Sequence, residues 1–170
     1  MAGIKSRGPA PVHLWDPPFC GDIDMLIQRD GTWLHEGRPI RRPAMVQLFA
    51  SVLKREGDNY FLVTPVEKVG IQVEDCPFLV TEMEVQGSGA TQSLVFTTNT
   101  GEVVSADDEH GLCITTDPET GKPHPTLHVR SGLRGLLVRS VFYRLIELAV
   151  DEGERGTGVY SRGVFFPITG

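Results

Sequence analysis

The sequence predicts an α+β protein of two structurally similar halves. Each half is built of antiparallel strands with one main helix, and the pair is read as an internal duplication. Three observations carry this. Leu34 to Glu56 and Leu127 to Ala149 align without a gap at a fixed offset of 93 residues, placing His35 on His128, Arg41 on Arg134 and Phe49 on Phe142. Apolar positions follow at the same offset, Met45 on Val138 and Val52 on Leu145 among them. Between and around these stretches run short alternating segments separated by Asp-Gly, Gly-Ser-Gly and Asn-Thr-Gly turns, the signature of paired strands.

The elements follow in order. Residues 1–20 are rich in Pro and Gly and read as an extended lead-in. The first α+β unit is assigned to 21–88 and the second to 89–170, with Gly87-Ser88-Gly89 as the boundary. Ile23, Met25 and Ile27 alternate along a strand. Asp30-Gly31 supplies the positive φ of a tight hairpin, and Trp33 anchors the returning strand. Met45, Leu48, Phe49, Val52 and Leu53 form one stripe at helical spacing. They predict a helix over about 43–56 that starts on Pro43 and is capped by Gly57. Strands are predicted at 60–64, 66–73, 78–86, 92–97 and 102–105. The second half continues with 112–116 and 126–129. A helix over about 132–150, apolar on most sides, is then predicted to lie at the centre of the fold. Strands at 159–161 and 164–167 close the chain.

Composition excludes several function classes. The net charge of −6 and pI near 5.3 argue against a nucleic-acid binder and against an anionic membrane surface. No apolar run approaches the roughly 20 residues that span a bilayer, and the first residues have no secretory core. Cys20, Cys76 and Cys113 are scattered, with no metal-binding spacing. Free thiols in a reducing compartment, the cytoplasm, are expected.

The stretches CGDIDMLIQRDGTWLHEGRPIRR, LVTPVEKV, LHVRSGLRGLLVRSVFYRL and SRGVFFPI resemble the bacterial family called domain of unknown function 1285. The likeness covers nearly the whole chain after the lead-in. It implies a two-part α+β protein with similar halves, and a link to signal transduction through ligand binding. It brings no catalytic residues.

Candidate chemistry centres on His35 and His128, which stand at matching points of the two stretches, and on Arg41, Arg42, Arg130, Arg134 and Arg139 nearby. Guanidinium groups beside helix N-termini suit a phosphate or carboxylate. The expected site is therefore a cleft binding a small anionic ligand through His35, Arg41, His128, Arg130, Arg134 and Arg139. The competing expectation is that these arginines serve ion pairs on the surface. Arg139, Tyr143 and Glu147 share one helical stripe, on which a structural ion pair is expected. Asp22, Asp24 and Asp30 with His35 and Glu36 could supply metal oxygens or an acid–base pair, but their spacing matches no calcium loop, and turns and solvated faces are expected. The Asp107–His110 run resembles a metal cluster, but consecutive residues in a polar loop rarely converge on one ion. No metal, cofactor or catalytic residue is assigned.

The function expected from these readings is non-enzymatic binding or sensing. The alternatives are a hydrolase-type enzyme using Asp24, Asp30, His35 or Glu67, and an interaction scaffold using a strand edge or the first helix. A homodimer is left open.

Overall fold

The computed structural model of the chain describes residues 9–168. The chain forms two compact units, the first ending at Pro77 and the second beginning at Phe78. The boundary therefore does not fall at Gly87-Ser88-Gly89. That turn instead joins two hairpin-paired strands of the second unit, because the segments flanking it carry matched alternating patterns. Of the expected lead-in, residues 1–8 lie outside the described residues. The remainder is docked: Val12 is buried in a short 3₁₀ turn, and the Ala10 N–H donates to the Ser51 carbonyl at 2.9 Å.

The first unit contains β1 (Phe19–Ile27), β2 (Trp33–His35), β3 (Arg38–Pro39), α1 (Pro43–Ser51), β4 (Leu53–Glu56), β5 (Asn59–Val63) and β6 (Lys68–Val73). Their sheet order is β3-β2-β1-β6-β5-β4, antiparallel throughout except for the central parallel pair β1–β6. Met25, Ile27, Trp33, Leu53 and Val63 form its core, with Trp33 only 1% exposed. The Trp33 ring lies 6.1 Å from that of Phe49, and this contact docks α1. The helix is shorter than its apolar stripe predicts. Leu53 to Glu56 leaves it for the sheet, and Gly57, at φ 61°, serves the β4–β5 hairpin instead of capping a helix. Ala50 alone in α1 is buried, while Met45 and Leu48 face outward, 39% and 57% exposed.

The second unit contains β7 (Phe78–Gln86), β8 (Ser93–Thr98), β9 (Val103–Ser105), β10 (Leu112–Thr116), β11 (Pro123–Arg130), β12 (Leu133–Leu137) and α2 (Arg139–Glu147). A further small sheet follows: β13 (Val150–Asp151), β14 (Thr157–Ser161) and β15 (Val164–Pro167). The main sheet runs β10-β11-β12-β7-β8-β9, again with one central parallel pair, β12–β7. Counted within each unit, both six-stranded sheets have the order third, second, first, sixth, fifth, fourth. The halves are alike in this sense.

The 93-residue offset describes a smaller likeness. Both segments are hairpin-linked strands followed by a helix, but β2 is the second strand of its sheet and β11 the fifth of its own. His35 and His128 thus occupy non-equivalent places.

The helix expected over 132–150 is a strand followed by a shorter helix. Ser131 and Gly132, at φ 48° and 78°, close a hairpin, and Leu133 to Leu137 then alternate buried and half-buried. Nor is α2 buried all round. Val141, Phe142 and Leu145 face inward, while Arg139, Tyr143 and Glu147 lie on its exposed side. No ion pair is needed to bury that stripe.

The edge strands β9 and β10 are joined by residues 106–111. A flat sheet of this width measures roughly 24 Å across. Straight backbone advances at most about 3.6 Å per residue. The link is not straight: the Asp107 N–H bonds back to the His110 carbonyl at 3.1 Å. The sheet must therefore curl to bring its edges together.

Ser161, fully buried, fastens the small sheet to this curl. Its hydroxyl donates to the Ala106 carbonyl at 2.7 Å and accepts the Leu94 N–H at 2.9 Å. Replacing Ser161 by Ala leaves a buried donor and a buried acceptor unmet. The expected loss is about 2 kcal/mol, read as a lower urea midpoint; an unchanged midpoint would show that Ser161 is not a fastening point.

Candidate functional site

The expected binding residues divide sharply between the two units. In the second unit, most are committed to the fold. His128 Nδ1 lies 2.8 Å from the Glu109 carbonyl, which can only accept, so this nitrogen carries the proton. His128 Nε2 lies 2.9 Å from the Gly132 N–H, which can only donate, so this nitrogen is the acceptor. The imidazole thus bridges the 106–111 link to the β11–β12 turn. Arg130 donates Nε to Glu102 Oε1 at 2.6 Å and Nη2 to Oε2 at 3.4 Å, and its guanidinium lies over the Phe78 ring, 5.5 Å from the centroid. Arg134 donates to Thr126 Oγ1 at 2.9 Å and to the carbonyls of Gly111 and Thr126 at 3.2 and 3.4 Å. These are stapling bonds between strands and loops. Arg139, the first residue of α2, remains exposed.

The first unit presents a different picture. His35 and Arg38 stand directly opposite each other in the β2–β3 register. Arg41 follows, and Arg42 is the residue preceding α1. All four are exposed, and no ion pair engages them among the described residues. The short β3 and Pro43 fix this arrangement: Pro43 starts the helix directly after Arg41 and Arg42, so both stay at the corner where strand becomes helix. Met45 and Leu48 continue the exposed surface along α1. Arg38 was missed as a site residue from sequence. Its signal is the Glu36-Gly37 turn, at φ 52° and 78°, which folds it back against His35.

The acid–base candidates do not assemble. Asp30 Oδ1 accepts the Thr32 N–H at 2.9 Å, and that bond holds its carboxyl below the ordinary range. Among the described residues, no hydrogen bond joins Asp24, Asp30 or Glu67 to His35. The 107–110 run closes on itself. Asp107 Oδ1 accepts the N–H groups of Glu109 and His110 at 2.9 and 2.8 Å and His110 Nδ1 at 3.0 Å. It is a capped turn whose carboxylate is already occupied.

A model of the N-terminal domain of DUF1285, a domain of unknown function, matches residues 10–76. The C-terminal domain model of the same family, a protein of unknown function, matches residues 77–168. The chain belongs to the DUF1285 family. The two models meet where the two units divide. The crystal structure of a DUF1285 family protein from Silicibacter pomeroyi is 55% identical and has a TM-score of 0.90, over 97% of this chain and 90% of that one. A second DUF1285 family structure, from Shewanella baltica, is 29% identical with a TM-score of 0.57, over 72% of this chain and 90% of that one. Comparison with curated proteins gives no match. Among the described residues of this DUF1285 chain, no helix is long and apolar enough to cross a membrane.

The Asp107 turn gives a pH signature. Burial pushes its carboxyl up, but the hydrogen bonds from His110 and Glu109 outweigh burial and hold it below the ordinary carboxylate range. A depressed native value contributes stability that is fully present above the unfolded value near 4 and lost as pH falls through the lower native value. Asp107→Asn should therefore lower stability at pH 7 and narrow its gap to wild type as acid is added. A gap that stays constant in urea titrations from pH 7 to pH 2 would contradict this.

Proposed function

We propose that this chain is a non-enzymatic binding module whose first unit takes an anionic ligand at His35, Arg38, Arg41 and Arg42. One observation carries the reading: His35 faces Arg38 across the β2–β3 turn, Arg41 and Arg42 follow just before α1, and among the described residues no ion pair engages any of the four, whereas Arg130, Arg134 and His128 are consumed by the fold. Guanidinium groups left in water at a strand–helix corner can form paired charge-assisted bonds to phosphate or carboxylate oxygens. The surroundings favour this. Residues 1–77 hold nine Lys and Arg against ten Asp and Glu, and residues 78–170 hold seven against twelve, so the first unit is close to neutral. A ligand-responsive module of this kind suits a role in bacterial signal transduction. Exposed thiols at Cys20 and Cys113 support a reducing compartment, the cytoplasm.

A second reading rests on Met45 and Leu48. Their exposure beside the arginines would let an acidic protein segment with apolar anchors use the same corner.

The two readings separate in one thermal-shift series with phosphate, citrate, a nucleoside monophosphate and an acidic amphipathic peptide. A small anion a hundredfold above its Kd should stabilise by about 2.7 kcal/mol. For a chain of this size, that is a rise on the order of 5–10 °C. The double change Arg41→Ala and Arg42→Ala should abolish it, and Leu48→Ser should leave it intact. Loss of response in Leu48→Ser with only the peptide active would favour the second reading. Equal response in the arginine variant would overturn the site.

A further inference from the structure

On one face of the first unit's sheet, a hollow of about 290 Å³ opens beside Phe19, Asp22, Phe61, Lys68 and Gly70. The sequence builds it by breaking the regular pairing of β1. The β1–β6 register shifts on both sides of Asp22, and Gly21, at φ 96°, permits the irregularity. Asp22 is thereby set opposite Gly70, and Phe61 stands opposite Gly70 on the other side. Asp22, Gly70 and Phe61 form one row across three strands.

The middle of that row has no side chain. Glycine inside a strand is destabilising by roughly 0.5–1 kcal/mol, and it is found where something approaches the backbone closely. Here the close group is the Asp22 carboxylate, which a Cβ at position 70 would strike. The carboxylate is exposed and lies over the bare backbone of Gly70. Phe19 meets Phe61 edge-on, with ring centroids 5.9 Å apart at 85°, and Phe19 remains 55% exposed.

The cations of this face are already spoken for. Lys68 Nζ lies 4.8 Å from the Phe61 ring centroid and bonds both Glu56 oxygens at 3.1 and 3.3 Å. Lys54 reaches the same carboxylate at 3.4 Å. The Lys68 bond, with Lys54 adding to it, outweighs burial and holds the Glu56 carboxyl below the ordinary carboxylate range. Among the described residues, the charge left without a hydrogen bond or ion pair on the row is that of Asp22, which lines the hollow with Phe19 and Phe61.

We propose that this hollow is a binding site for a small organic cation, an ammonium or amidinium on a short apolar body. The cationic head would bond the Asp22 carboxylate over Gly70, and the body would lie against Phe19 and Phe61; the exposed Phe19 ring also attracts positive charge, while Phe61 is already engaged by Lys68. The volume is at the small end of ligand sites, which fits a compact ligand. The hollow shares no lining residue with the basic corner and selects the opposite charge.

Titration of the full chain with phenethylammonium and with phenylacetate, followed by amide NMR, tests it. Phenethylammonium should bind saturably at millimolar concentration, shifting the amides of Phe19, Asp22, Phe61 and Gly70, and phenylacetate should not. Asp22→Asn, an exposed and nearly isosteric change, should weaken the cation roughly tenfold. Phe19→Ala should weaken it without altering charge selectivity. The Arg41→Ala and Arg42→Ala double change should leave it untouched, so this site and the anion site fail independently. Equal binding of both probes, unchanged affinity in Asp22→Asn, or no saturable shifts with either probe would each overturn the proposal.

Discussion

The constraint on which both units depend is the parallel pairing of their first and last main-sheet strands. In the first unit β1 lies beside β6, and in the second β7 lies beside β12. Parallel neighbours cannot be joined by a tight turn. The chain must travel outward through one three-stranded meander, cross to the far edge, and return inward through the other. That route fixes the strand order of each sheet. It also explains why the helices differ in place while the sheets agree. In the first unit α1 forms the edge-to-edge crossing, whereas in the second the crossing is the short 106–111 link and α2 follows the last central strand. Ile27, Phe78, Val80 and Leu133, all completely buried, gather on the strands of these central pairs.

Much of this was legible from sequence where turn chemistry and alternation agreed. The segments 78–86, 112–116 and 164–167 are strands over the limits expected, and Asp30-Gly31 is the hairpin turn read from it. Misreadings arose where apolar residues fit two periods at once. Leu133, Leu136 and Leu137 suit a helical face as well as a strand. The deciding feature is the positive φ at Ser131, which a residue letter does not reveal. Val52 and Leu53 likewise extend the stripe of α1, yet Leu53 pairs with Leu62 in the sheet. The apparent boundary at Gly87-Ser88-Gly89 failed for a related reason. A glycine-rich turn marks a reversal equally well inside a sheet and between units.

For the site, the residue types were legible and their allocation was not. Arg130 and Glu102 are 28 positions apart, and Arg134 meets the Gly111 carbonyl 23 positions away. Nothing in either local sequence distinguishes an arginine that staples a loop from one left in water. His128 is the sharpest case. Both of its ring nitrogens are spent on backbone groups, while His35, its counterpart at the 93-residue offset, is exposed. Gly70 did carry a signal, being a lone glycine inside a β-branched run, but its cause lies on β1, far back in the chain.

The outer strands of the first sheet carry one more implication. β3 is only Arg38–Pro39, and β4 carries Lys54, Arg55 and Glu56 in succession. Proline offers no N–H to a newcomer, and a row of charges would have to shed water before another backbone could align. Templated growth of this sheet by a neighbouring polypeptide is thus blocked at both margins. Any assembly formed by the first unit must be built from side-chain surfaces, and the protein gains resistance to fibrillar stacking without closing the sheet.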